Sequence, residues 1–171
     1  MQLATSLCSS AVAAWLVLGA FGCSHQTELE PAAGATKLDG DIAWVGVQGV
    51  QILAKGDDWE GDQALLDQAT PVYLVINNRG YRPLKVEYSK ISLVNERGQE
   101  HLILEPSSSP DSQVREWALA EGVIPPGGNA SGYVYFQHVP GGLDRVRLDM
   151  ELVDARSGDR FAIAKIPFQT D

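Results

Sequence analysis

From Asp41 onward, apolar segments of strand length recur between turn signals: Ile42 to Ala54, Val72 to Ile76, Leu84 to Leu93, His101 to Leu104, Tyr133 to Gln137, Arg145 to Val153 and Phe161 to Phe168. Short strands at such spacing predict an all-β, two-sheet antiparallel sandwich. The clearest strand is Arg145 to Leu152. Val146, Leu148, Met150 and Leu152 share one parity, while Arg145, Arg147, Asp149 and Glu151 share the other. A helix would scatter those charges over its apolar face, whereas a strand places them all on the water side. Burying the four apolar side chains contributes roughly 6 to 12 kcal/mol before conformational entropy, enough to set the strand's register. Val72 to Ile76 is apolar at every position, which predicts a mid-sheet strand covered on both faces or lying under a loop.

Two segments change phase. Leu84, Val86 and Tyr88 alternate in one parity and Ile91 and Leu93 in the other, so a bulge or a switch of sheet is expected at Ser89 and Lys90. Phe161 and Ile163 similarly differ in phase from Ile166 and Phe168, and Pro167 lacks a ladder donor, which predicts an edge. Asn95-Glu96-Arg97-Gly98 and Asp154 to Gly158 read as hairpin turns, and Asn77 to Gly80 as a further turn in which Asn77 or Gly80 takes a left-handed conformation. Gly127-Gly128 permits a tight turn before a strand. Between Pro106 and Pro126 the alternation stops, and Ser112 to Glu121, following Pro110-Asp111, predicts a short helix across one end.

The N-terminus has a different character. Ala11 to Gly22 is an uncharged apolar run of about 12 residues, short of the roughly 20 that span a bilayer and suited to a signal-peptide core. Ala20-Phe21-Gly22-Cys23 resembles the lipobox cleaved by the lipoprotein signal peptidase, whose cysteine becomes lipidated. There are two departures from that pattern: Ala20 stands where Leu is common, and Met1 to Leu7 carry no Lys or Arg. In that family Ser24, not being Asp, implies sorting to the outer membrane. Several acyl chains on one cysteine would hold the protein without any protein-made membrane surface. Ser24 to Asp39 shows no apolar period and reads as a disordered tether. The chain is thus expected to divide into a signal peptide over 1–22, a lipidated Cys23 with a flexible tether to residue 39, and a sandwich over 40–171.

Further resemblance lies in Val75-Ile76-Asn77-Asn78-Arg79-Gly80 with Pro83-Leu84-Lys85-Val86, and in Ile91 to Gly98. It continues in Ile124-Pro125-Pro126-Gly127-Gly128 leading to Ser131 through Phe136, and in the Val139-Pro140 turn. These elements resemble the telokin-like, immunoglobulin-like domains common in bacterial lipoproteins, over about Pro71 to Phe168. The resemblance implies an immunoglobulin-like sandwich and no particular reaction.

Charge and cysteine usage narrow the chemistry. The 22 acidic and 13 basic residues give a formal charge of −9 without basic runs, which disfavours nucleic acid and bare anionic lipid as partners. Cys8 and Cys23 both precede the expected domain, leaving it no thiol for a disulfide, a thiolate metal site or a nucleophile. His25, His101 and His138 are too dispersed for a zinc set. Asp57, Asp58, Glu60 and Asp62 lack the alternating spacing of a calcium loop and read as a solvated turn. No nucleophile elbow, Walker loop or dinucleotide fingerprint appears. We therefore expect no enzyme, no cofactor and no metal.

Tyr133 and Tyr135 share one strand face, and with Trp59, Tyr81 and Trp117 they form a candidate aromatic platform for a glycan or peptide. Simple packing explains them as well, since aromatics are ordinary strand residues. The expected function is that of a non-catalytic envelope lipoprotein, tied to the membrane through Cys23 and binding another envelope protein. The alternatives are a carbohydrate- or peptidoglycan-binding module and a hydrolase joining His101 or His138 to carboxylates in a pocket.

Overall fold

A computed structural model describes residues 29–32, 36–39, 41–56, 59–140, 143 and 145–170. Cys23 and the expected signal peptide lie outside them. The described strands are β1 (Leu29–Pro31), β2 (Thr36–Asp39), β3 (Ile42–Val47), β4 (Val50–Lys55), β5 (Ala69–Asn78), β6 (Leu84–Val86), β7 (Ile91–Asn95), β8 (Glu100–Leu102), β9 (Gly122–Ile124), β10 (Asn129–Gln137), β11 (Arg145–Asp154) and β12 (Arg160–Thr170), with a single α-helix among the described residues, α1 (Ser112–Trp117). They form two antiparallel sheets. One, of seven strands, runs β1-β12-β11-β6-β9, with β7 also on β11 and β8 on β7; the other, of five, runs β10-β5-β4-β3-β2. The expected all-β two-sheet sandwich is what the chain forms.

The alternation along β11 places Val146, Leu148, Met150 and Leu152 in the core, against Ala164, Ile166 and Phe168 of β12 and Ile91 and Leu93 of β7. From the other sheet Ile52, Val72, Leu74, Ile76, Val134 and Phe136 close onto them. β5 lies between β4 and β10, as its unbroken apolarity predicted. The short helix forms where expected, with the Asp111 carboxylate accepting from the Gln113 N–H at 2.8 Å as its N-cap. The turns before β8 and β12 carry Gly98 and Gly158 at φ 76°, and Gly127 stands at φ 79° before β10.

Several expectations are corrected. Ile42 to Ala54 is two strands: Gln48 and Gly49, at φ 51° and 83°, make a two-residue reversal between β3 and β4. At Ser89 and Lys90 neither a bulge nor a sheet switch occurs. A 3-10 turn over Tyr88–Lys90 separates β6 from β7, and both pair with β11. β12 keeps one inward phase through Ala164, Ile166 and Phe168 and leaves Ile163 exposed, so the apparent slip reflects an apolar residue on the water side. The register shift comes earlier in β12: Leu152 and Val153 of β11 pair with Ala162 and Arg160, which leaves Phe161 as the extra residue.

The end of β12 is not an edge. β1 pairs with it from Leu29↔Thr170 to Pro31↔Phe168, and the Pro167 carbonyl accepts from the Ala32 N–H at 3.1 Å. Pairing therefore starts before the expected boundary at residue 40: β1 and β2 fall in the segment read as tether, and Leu29 is fully buried in the core. The physical reason is that a single buried leucine and three ladder positions suffice to close an edge, too little to register as periodicity. Neither Asn77 nor Gly80 is left-handed. The close approach is what needs glycine: a Cβ on Gly49 would stand 2.8 Å from the Gly80 Cα, and one on Gly80 would stand 3.2 Å from the Gln48 carbonyl oxygen, so the two backbones touch.

Candidate functional site

Sheet alternation leaves each sheet with an outer face, and on the five-stranded sheet that face carries an apolar and aromatic strip. Register aligns Trp44 with Leu53, Leu53 with Val75 and Val75 with Ser131. The neighbouring row aligns Lys55, Tyr73 and Tyr133. Over its β10 side the face is covered by the loop after β4, by α1 and by Leu104.

Trp59 is the centre of that cover. Its ring meets Tyr133 at 5.1 Å and 89°, Tyr135 at 5.6 Å and 89°, and Trp117 at 5.7 Å and 70°. Tyr73 adds an edge contact to Tyr133 at 5.1 Å. Edge-to-face pairs of this kind contribute about 0.5–1.5 kcal/mol each beyond area burial. The Trp59 Nε1–H donates to the Asp62 carbonyl at 3.0 Å, and the Asp62 carboxylate accepts from the Ala64 N–H at 2.9 Å. Asp62, part of the acidic turn, thus caps a 3-10 turn and pins the indole, while Asp57 and Asp58 lie outside the described residues. Among the described residues no three His, Cys, Asp or Glu side chains are grouped to hold a metal.

Four of the five candidate aromatics, Trp59, Trp117, Tyr133 and Tyr135, therefore meet in one cluster, but as a second small core. Tyr133 is 9% exposed and Tyr135 1%, so neither is an open platform. Tyr81 stands apart at 75% exposure, beside the Arg82 guanidinium, which lies 5.3 Å from its ring and 5.2 Å from that of Phe161. The Tyr135 hydroxyl is buried with no hydrogen-bond partner among the described residues. Burial, then the neighbouring Tyr133, Asp111 and Tyr88, pushes its ionisation above the ordinary tyrosine range. Tyr88 is raised likewise, by burial and by the Glu121 and Glu105 carboxylates, and its hydroxyl donates to the Leu119 carbonyl.

The open remainder of the face was missed by sequence reasoning. An apolar hollow of about 230 Å³ is lined by Ile42, Leu53, Ala54, Lys55, Tyr73 and Val75. Next to it, toward the Gln48–Gly49 turn, lies a groove of about 340 Å³ whose wall includes Trp44, Gln51 and Arg79. The available signal was parity: Ile42 and Trp44 alternate with the inward Ala43, and Leu53 with the inward Ile52 and Ala54.

Asn78 fixes the neighbouring loops. Its buried Nδ2 donates to the Arg82 and Ile124 carbonyls at 2.8 and 3.0 Å, and its Oδ1 accepts from the Gly80 N–H at 3.2 Å. The Arg79 N–H donates to the Gly49 carbonyl at 2.8 Å, which holds Arg79 at the groove's end. His101 and His138 line neither this groove nor the hollow beside it.

With this geometry in place, the class is an all-β two-sheet antiparallel sandwich, and comparison with known proteins adds little to it. No family model matches the chain, and no curated protein matches it in sequence. Among solved structures it is similar to ycdA of Bacillus subtilis subsp. subtilis strain 168, provisionally described as a lipoprotein, at 14% identity and a TM-score of 0.46 over 85% of this chain. The match spans 34% of that protein, about a third of its length.

Proposed function

We propose that this chain is a cell-envelope lipoprotein whose sandwich is a non-catalytic binding module, held at a membrane by lipid on Cys23. The Ala20-Phe21-Gly22-Cys23 pattern behind an apolar run supports the anchor, and the resemblance to telokin-like domains supports the same setting. The observation that carries the binding reading is the half-covered outer face of the five-stranded sheet, where Trp44, Leu53 and Val75 remain partly exposed beside a groove. Soluble domains seldom leave a contiguous apolar strip on a sheet unless something docks there. Ser24 directs the protein to the outer membrane in this reading, and the partner is an envelope component that reaches this face.

Palmitate labelling of cells, followed by membrane fractionation, tests the anchor. Wild-type chain should carry label and sediment with membranes, and Cys23→Ala should lose both. An unlabelled wild-type chain in the soluble fraction would dispose of the anchor. Photo-crosslinking from position 53 in cells tests the face, with position 147 on the opposite sheet as control: a discrete adduct is expected from the former and none from the latter.

A further inference from the structure

The groove at the Gln48–Gly49 end has the composition of a ligand site. A cross-strand row aligns Gly46 with Gln51, Gln51 with Asn77 and Asn77 with Asn129, next to the apolar row of Trp44, Leu53 and Val75. The side-chain amides of Gln51, Asn77 and Asn129 have no hydrogen-bond partner among the described residues, and neither has the exposed guanidinium of Arg79. Gly46 leaves room for the indole: a Cβ there would stand 3.2 Å from Trp44 Cζ3. An aromatic ring, the open amide of Gln51 and one unpaired cation thus line the groove, and Asn77 and Asn129 continue the amide row beside it.

We propose that this groove binds a saccharide bearing a carboxylate, with Trp44 stacking on a sugar ring, Gln51 and Asn77 meeting hydroxyls, and Arg79 pairing the acid. The inference rests on reading the domain as a binding module and names that module's ligand class. Pyranose rings offer apolar C–H faces and a rim of hydroxyls, which aromatic and amide side chains match. An extended peptide would be recognised chiefly by main-chain pairing at a sheet edge. β3, β4 and β5 are all internal to their sheet, so that mode is closed and side chains must do the recognition. Arg79 supplies the charge complementarity, an unpaired cation in a chain of net charge −9. A guanidinium donates two parallel N–H bonds to a carboxylate, a geometry that no amide can reproduce.

Isothermal titration of the full-length chain tests this with tetragalacturonate, tetraglucuronate and the N-acetylglucosaminyl–N-acetylmuramic acid disaccharide. Maltotetraose serves as the neutral probe and an acidic Glu-Ala tetrapeptide as the peptide probe. At least one acidic saccharide should bind with saturation at millimolar concentration or below. Arg79→Gln should weaken it by about tenfold without changing any neutral-sugar binding, the loss expected for a charge-assisted contact. Gln51→Ala should weaken acidic and neutral sugars alike, and Trp44→Ala should abolish binding. Arg79 and Gln51 are solvent-facing, so these two variants keep the test valid if Trp44→Ala fails to fold.

Absence of binding by every saccharide, or binding unaffected by Arg79→Gln and Gln51→Ala, overturns the proposal, as does saturable binding of the peptide alone. The Cys23→Ala chain retains the groove. Lost lipidation with intact sugar binding therefore removes only the anchor, and intact lipidation without sugar binding removes only this ligand.

Discussion

Along β11 on one sheet and β3 to β5 on the other, the two outer faces are built on the same alternation and differ in chemistry, with Leu102 and Ile163 the exposed apolar residues beside the charged row. On the seven-stranded sheet the outward positions of β11 are Arg147, Asp149 and Glu151, and each finds an ionic partner: Arg147 with Asp149 at 2.5 Å, and Glu151 with Arg160 at 2.9 Å and Lys90 at 3.4 Å. On the five-stranded sheet the corresponding positions are Trp44, Leu53, Tyr73, Val75, Tyr133 and Tyr135, half roofed by Trp59 and α1. A charged face is complete when water solvates it. An apolar face is complete only when something lies on it, and here the chain covers one side alone.

Substitutions should cost far more under the roof than among the ion pairs. Tyr133→Ala removes the ring at the centre of the cluster and should destabilise the fold by about 3–5 kcal/mol, read as a fall in the urea midpoint. A loss below about 1 kcal/mol would mean the roof is ornamental. Gly132→Ala attacks the same cover through the backbone. A Cβ there would stand 2.5 Å from the Leu119 nitrogen, whose N–H donates to the Tyr133 carbonyl at 2.8 Å. Detaching that segment should cost roughly 2 kcal/mol and raise amide exchange at Leu119.

Tyr135→Phe should have the opposite sign. The hydroxyl it removes has no partner among the described residues, so the variant should be as stable as wild type or more so, by about 1 kcal/mol. The same burial has a pH signature. Tyr135 and Tyr88 hold their protons more tightly when folded, so their contribution is intact below about pH 10, the ordinary tyrosine value, and is lost as pH rises beyond it. Alkaline unfolding monitored by circular dichroism should shift to higher pH in Tyr135→Phe. On the charged face, Glu151→Gln should change stability by less than about 1 kcal/mol. Arg160 and Lys90 lower the Glu151 carboxylate's affinity for protons, so its small contribution is present above the usual carboxylate range and disappears on acidification through it. An equal effect of Glu151→Gln and Tyr133→Ala would erase the distinction between the faces.

What could be read beforehand followed from how locally each feature is encoded. β11 was legible because its charges and aliphatics alternate without a fault, and the mid-sheet place of β5 because it is apolar at every position from Val72 to Ile76. The β3–β4 reversal was hidden by Gln48-Gly49, which lacks the usual asparagine or aspartate before glycine and sits within continuous apolar sequence. Parity placed Tyr133 and Tyr135 on one face correctly. Whether that face is open or roofed depends on where Trp59 and Trp117 are delivered by a loop and a helix, and no periodicity records that. Trp44 and Arg79 belong together only because Gly49 and Gly80 let two turns touch, a contact between distant positions that each glycine alone does not announce.

The start of β1 at Leu29 sets a leash. Only Ser24 to Glu28 intervene between Cys23 and that strand, so with lipid on the cysteine the body of the protein hangs within about 20 Å of its acyl chains. Leu29 meets Gly56, at the far end of β4 from the Gln48–Gly49 turn. The leash would therefore attach at the Gly56 end of β4, with the Arg79 groove at the other end of that strand.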